Sequence, residues 1–201
     1  FIQKVRIHDA ILNPPIKWRG VGSPWMAASD QSREFQFPIP KEQGGTELHM
    51  LWTSAPCWTT CWNGGNRYIR AVRDPSIEFV LTEHPWMEDD TLLSDIILPT
   101  TTRFEEYDIG ADMMNPQVWL VDNCIDPIGE AKTDYEVSLE IAKKLSPELV
   151  EKYTWGRSVE DWMQYAWDTR NLTEASGMTF EEFKEKQFFV PPFAPGREER
   201  L

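Results

Sequence analysis

Leu48-His49-Met50-Leu51-Trp52-Thr53, Ile77-Glu78-Phe79-Val80-Leu81-Thr82 and Asp95-Ile96-Ile97-Leu98-Pro99 are three apolar runs of strand length within residues 48–99. After the first run Ser54-Ala55-Pro56 breaks the strand, and a helix is expected from about Cys61 to Val72, stopped by Asp74-Pro75. A short helix around Asp90 to Leu93 separates the second run from the third. Strand, helix, strand, helix, strand predicts a parallel sheet with right-handed crossovers. Runs that do not alternate with polar residues imply strands buried on both faces. In such sheets ligands lie outside the carboxyl ends of the strands. That directs attention to Thr53 to Thr59, to Thr82 to Trp86 and to the residues after Pro99.

Upstream, Val5 to Leu12 reads as one or two helical turns ending before Asn13-Pro14-Pro15, because proline disfavours helix at the preceding residue. The Gly, Pro, Ser and Trp content of residues 17–45 reads as loop, so residues 1–45 are taken as an irregular lead. Downstream, Gln117 to Val121 is a further strand. Thr133 to Leu145 is an amphipathic helix with Lys143-Lys144 in its last turn, where cations suit the dipole. Ser158-Val159-Glu160-Asp161 opens another helix, and Thr179-Phe180-Glu181-Glu182 a third with a capping-box pattern. Pro191 to Pro195 cannot be helix and reads as a connection. The expected class is α/β, a Rossmann-like parallel sheet with flanking helices over residues 46–146. A helical, aromatic-rich extension with a Pro-rich connection follows over 147–201.

The chain has 201 residues, 41% hydrophobic and 26% charged, enough to bury a core without disulfides or metals. Ten Trp and ten Phe suggest contacts with partners as well as a core. The net charge is −13 and no Lys/Arg-rich block is present, which argues against nucleic acid and anionic membranes as partners. No apolar run approaches the roughly 18–20 residues of a membrane-spanning helix. The chain opens on Phe1-Ile2-Gln3 without Met, as expected of a segment of something longer.

Marks of a self-contained active site are missing: there is no GxGxxG, Walker loop or GxSxG elbow. Gly64-Gly65 before Asn66-Arg67 reads as a plain loop-to-helix turn rather than a phosphate cradle. Cys57 and Cys61 stand one helical turn apart, and Cys124 is distant. With no further Cys or His at matching spacing, they read as two small, partly buried residues rather than ligands. His49, inside an apolar run, is expected to be a hydrogen-bonded core histidine. Glu83, beside His84 after a strand's carboxyl end, suits hydrogen bonding to a base or ribose, against the alternative of a solvated loop residue. Glu88-Asp89-Asp90 reads as the acidic first turn of a helix. Glu105-Glu106 reads as two carboxylates pointing apart rather than an acid/base pair.

Asp90 to Glu105, with Asp95-Ile96-Ile97-Leu98-Pro99-Thr100-Thr101-Thr102 at its centre, resembles the dimethyl sulfoxide reductase family of molybdenum enzymes. Val5 to Pro14 is similar to that family's lead into its third domain, Thr53-Ser54-Ala55-Pro56 to its loop after a strand, and Pro127 to Tyr135 to its P-x-G-E-A segment. Together these cover roughly residues 1–146. Ser76 to Val80, Phe104 to Ile109 and Cys124 to Glu130 resemble the family's transhydroxylase branch, and Trp155 to Val190 does so more loosely.

The resemblance implies a fragment of a large subunit that holds Mo or W between two molybdopterin guanine dinucleotides. Matched by position, Thr53, Ser54, Ala55 and Thr59 would approach phosphate or ribose, Thr82 and Glu83 the guanosine, and Gln117 the cofactor. Ala55 replaces the family's Asn or Asp, and Asn115-Pro116 its usual Gly-Arg. The metal ligand and any iron–sulfur cysteines lie upstream in the family, so no catalytic residue, metal ligand or Fe–S ligand is assigned here. The partners implied are the remaining domains of the same polypeptide and an iron–sulfur subunit. Members occur in cytoplasm and periplasm. The activity implied is hydroxyl- or oxygen-atom transfer, as in a phenol transhydroxylase or dehydroxylase. An S-oxide or N-oxide reductase is the alternative within the family, and a non-catalytic α/β nucleotide- or partner-binding module the alternative outside it.

Overall fold

The computed structural model describes residues 2–20, 34–54, 57–112 and 117–191. The chain divides into two units, Phe1–Pro99 and Thr100–Leu201.

In the first unit a 3₁₀ turn, Lys4–Arg6, leads into helix α1, Ile7–Leu12, which stops before the prolines as expected. Strands β1, Ile16–Arg19, and β2, Glu34–Phe37, then pair antiparallel. The lead is thus not wholly irregular. Ile16 and Trp18 point inward with Ala10, and Trp18 stacks on Phe35 at 5.8 Å, so alternate apolar residues on either side of the Gly/Ser/Pro-rich stretch find each other. Residues 21–33 of the expected loop lie outside the described residues.

Strand β3, Met50–Thr53, is followed by helix α2, Trp58–Cys61, and helix α3, Gly65–Val72. The single helix expected from about Cys61 is therefore two. Gly64 takes φ +88°, which ends one helix axis and starts another. Gly65 packs against the Thr59 carbonyl so closely that a Cβ would come within 2.1 Å of the oxygen. Strand β4, Phe79–Glu83, a 3₁₀ turn Thr91–Leu93 and strand β5, Ile96–Leu98, complete a parallel sheet of order β3-β4-β5. Central β4 is buried from Val80 to Glu83, as its unbroken apolar run predicts. Edge strand β3 alternates: Leu51 and Thr53 are buried, Met50 and Trp52 exposed. The covered face packs Leu51 and Val80 on Ile11, Tyr68, Ala71 and Val72. Asp95 ties β5 to β4, since its carboxylate accepts from the Val80 N–H at 2.8 Å and its own N–H donates to the Val80 carbonyl at 2.9 Å. His49 falls just outside β3 and is exposed, with Nδ1 3.2 Å from the Ser76 carbonyl oxygen, which corrects the expectation of a core histidine.

In the second unit strand β6, Asp108–Asp112, and strand β7, Gln117–Val121, run antiparallel, joined by residues 113–116. Gln117 to Val121 is therefore a strand, but not one added to the parallel sheet. A parallel return needs a crossover of a dozen or more residues, and the link here is far too short. Helices α4, Asp134–Leu145, α5, Pro147–Thr154, α6, Val159–Thr169, α7, Leu172–Ser176, and α8, Phe180–Lys186, follow, and strand β8, Phe188–Phe189, pairs with β7. Thr133, Ser158 and Thr179 form reciprocal capping boxes with Glu136, Asp161 and Glu182. The core closes on Trp167 and Phe183, both 0% exposed, with Val118, Met163, Phe180 and Phe189 around them. The Pro-rich stretch beyond Pro191 lies outside the described residues. Among the described residues no helix is long and apolar enough to cross a membrane.

Candidate functional site at the carboxyl end of the parallel sheet

A parallel sheet ends all its strands on one edge, so chemistry placed after β3 and β4 is gathered by the fold itself. Thr53 and Thr82 are register partners. Their hydroxyls lie 3.3 Å apart, and Thr82 Oγ1 continues to Ser94 Oγ at 2.6 Å. The result is a chain of three hydroxyls beneath the strand ends. Beside it Glu83 is 3% exposed, and its Oε1 accepts from the Trp52 indole N–H at 2.9 Å. A carboxylate leaves water only when donors meet it, and the partially exposed Trp52 ring supplies one. Ser54 follows Thr53 directly and is exposed. The His84 N–H still donates to the Leu98 carbonyl of β5 at 3.2 Å, and its Nδ1 lies 3.0 Å from the Trp86 carbonyl oxygen and 3.3 Å from the Trp86 nitrogen.

Asp90 holds the start of α2. It is buried, and its carboxylate accepts from the N–H of Trp58, from the N–H of Thr59 at 2.9 Å and from the Thr59 hydroxyl. These are first-turn donors of α2, which has no cap from its own sequence. Asp90 was expected to serve the turn that it begins; it serves a helix some thirty residues earlier in the chain. Its negative charge also raises the Tyr68 hydroxyl, whose burial is the larger cause.

Of the residues anticipated from sequence, the structure brings together Thr53, Ser54, Thr82 and Glu83. Thr59 stands in the first turn of α2 with its amide and hydroxyl engaged by Asp90. Ala55 lies outside the described residues. Gln117 belongs to the other unit, exposed at the start of β7 and paired with Asp112. Asp90, Ser94 and Trp52 were not anticipated, because each acts on a residue far away in sequence. Gly64-Gly65 forms a loop-to-helix turn as read, with Gly64 against the His8 imidazole.

The second unit explains the rest of the Asp90 to Glu105 stretch. Glu105 accepts from the N–H and hydroxyl of Thr102, both at 2.7 Å, and from the Ile128 N–H at 2.8 Å. Those bonds hold its carboxyl below the usual carboxylate range, the Thr102 hydroxyl contributing most. Glu106 turns instead to the Thr101 hydroxyl at 3.0 Å and to Arg103. The two carboxylates do point apart, and Glu105 pins the segment that carries Pro127 to Glu130.

No family model matches the chain. Over 214 aligned residues it is 29% identical to the pyrogallol hydroxytransferase large subunit of Pelobacter acidigallici, covering 100% of this chain and 24% of that protein. It is 29% identical to the dimethyl sulfoxide reductase of Escherichia coli (strain K12), over 74% of this chain and 19% of that protein. The chain therefore spans at most about a quarter of the length of these curated relatives. Among solved structures, acetylene hydratase from Pelobacter acetylenicus shares the fold with a TM-score of 0.53 at 18% identity, over 73% of this chain and 19% of that one. With a parallel sheet whose polar residues collect at its carboxyl edge and similarity along the whole chain, this protein resembles the molybdopterin enzymes of the dimethyl sulfoxide reductase family.

Proposed function

We propose that this chain forms one wall of the cofactor site in the large subunit of a molybdenum or tungsten oxidoreductase, holding part of one molybdopterin guanine dinucleotide. The observation that carries the reading is Glu83, a buried carboxylate at the carboxyl end of the central parallel strand, where ligand hydroxyl and N–H donors are met in sheets of this kind. Thr82 and Glu83 are the residues assigned to the guanosine. Thr53, Ser54 and Ala55 are assigned to ribose or phosphate, and Gln117, matched by position alone, to the cofactor. Thr59, assigned to the same region, has its donors committed to Asp90 and so fixes the start of α2. The part of the chain assigned to the cofactor runs from 46 to 146, with residues 1–45 as its lead and 147–201 as the helical, aromatic-rich extension.

Bound, the cofactor would supply the redox chemistry, while these residues supply position and electrostatics. For the whole enzyme we favour hydroxyl- or oxygen-atom transfer on a phenolic ring, because similarity to a pyrogallol hydroxytransferase runs the length of the chain. A reductase of S-oxides or N-oxides is the second reading, supported by the dimethyl sulfoxide reductase above and by 29% identity over 51% of this chain to a trimethylamine-N-oxide reductase of Haemophilus influenzae. The partners expected are the rest of the polypeptide and an iron–sulfur subunit.

Metal and guanine content of the full-length protein, expressed with molybdate and tungstate both supplied, test the proposal. Retention of metal and guanine nucleotide is expected. Glu83→Gln should lower it about tenfold or more, as loss of a charged hydrogen-bond acceptor implies. Wild-type protein with neither metal nor pterin would overturn the cofactor assignment, and undiminished loading of Glu83→Gln would remove Glu83 from the site.

A further inference from the structure

Cys57 and Cys61 flank a single helical turn. Cys57 is the N-cap residue of α2 and Cys61 its last residue, and the Cys61 N–H donates to the Cys57 carbonyl at 2.8 Å. Both side chains therefore rise from one turn. Cys61 is exposed and Cys57 half-buried. Among the described residues no third His, Cys, Asp or Glu joins the pair in a metal-binding cluster, so the chemistry left to two adjoining thiols is with each other.

We propose that Cys57 and Cys61 form a dithiol site that a small-molecule disulfide such as oxidised glutathione closes to an intramolecular disulfide. Exposure decides the order of events. The Cys61 thiolate attacks the small disulfide, forms a mixed disulfide and releases one thiol. Cys57, losing its proton to solvent, then attacks the Cys61 sulfur and expels the second thiol. Two protein thiols become one disulfide, and one small disulfide becomes two thiols. Burial, and next the neighbouring Cys61 thiol, push the Cys57 thiol up, which suits it to wait and resolve rather than to attack first.

The bond is made against resistance. Side chains four apart on a helix have Cβ atoms about 5–6 Å apart, whereas a disulfide needs about 3.5–4.5 Å. The turn must tighten while Asp90 grips the amides of Trp58 and Thr59. A disulfide opposed in this way is readily reduced again, as regulatory disulfides are and structural ones are not.

The test uses the full-length protein in glutathione buffers of rising oxidised fraction, quenched by alkylation and read by mass spectrometry of the tryptic peptide covering residues 42–67. Reversibly, that peptide should escape alkylation and weigh about 2 Da less than its unalkylated dithiol form, the mass of the two hydrogens that a disulfide removes. Cys57→Ser should leave glutathione attached to Cys61. Cys61→Ser should acquire it on Cys57 at least about tenfold more slowly, in keeping with a half-buried, raised thiol. Two free thiols persisting in buffers that attach glutathione to exposed Cys124 would overturn the site. Equal adduct rates at Cys57 and Cys61 would overturn the order of attack.

Discussion

In the first unit the polar contacts that matter span long stretches of chain: Trp52 to Glu83, Asp90 to Trp58 and Thr59, Asp95 to Val80. In the second unit most of them close over three residues, at Thr102 and Glu105, Thr133 and Glu136, Ser158 and Asp161, Thr179 and Glu182. The sheets differ in the same sense. The parallel one brings residues together across crossovers, and the antiparallel one pairs β6 with β7 across a short link. Local contacts stabilise helices whatever else happens, whereas long-range ones position side chains at a chosen place. In the first unit polar groups tie distant stretches of chain together, and in the second they close local turns.

The sharpest way to break this contrast is through the second core. Trp167 touches Phe183 at a centroid distance of 4.5 Å, and its indole N–H donates to the Thr173 hydroxyl at 2.8 Å. Trp167→Ala should cost about 3–5 kcal/mol, as large-to-small changes at fully buried aromatics do. Urea unfolding measures the loss. Hydrogen exchange should place it in residues 107–189 and leave the amides of β3 and β4 protected; equal deprotection of both sheets would end the picture of two separately built units.

Asp90→Ala should have a smaller and strictly local effect, about 1–2 kcal/mol for a lost helix cap. Faster exchange of the Trp58 and Thr59 amides, with α4 and α6 unaltered, is the expected signature. Unchanged exchange there would mean that Asp90 does not anchor the start of α2.

Acid gives the mildest probe. Glu105, Asp161 and Glu182 are each held below their ordinary range by hydrogen bonds from Thr102, Ser158 and Thr179. A lowered folded pKa contributes stability above the unfolded value and loses it as pH falls through the folded one. The second unit's unfolding midpoint should therefore decline as pH drops from about 5 towards 3, the range below ordinary carboxylate values. In the first unit only Asp74, held by Ser76, is lowered in this way among the described residues, so its midpoint should move less. Glu105→Gln should flatten part of the second unit's slope, seen by thermal melts at several pH values.

The same contrast governs what the sequence discloses. Strands β3, β4 and β5 are legible because unbroken apolar runs between helical stretches leave few alternatives. The helices after Thr133, Ser158 and Thr179 are legible because their caps are written three residues away. Helix α7 and strand β8 are too short to carry a period, and the partner of Gln117 to Val121 depends on where the neighbouring chain returns. At the candidate site Thr53, Thr82 and Glu83 follow from the rule about strand ends. Asp90 and Ser94 do not, since nothing near them in sequence marks the residues they meet.

The three hydroxyls of Ser94, Thr82 and Thr53 have one further consequence. Each hydroxyl both gives and receives, so the same heavy-atom positions support two opposite proton orders, one running from Ser94 to Thr53 and the other back. Reversing the order moves no backbone atom. Whatever reaches the Thr53 end, donor or acceptor, can be answered by three rotating protons: a rigid sheet edge carries a polarity that it does not have to fix in advance.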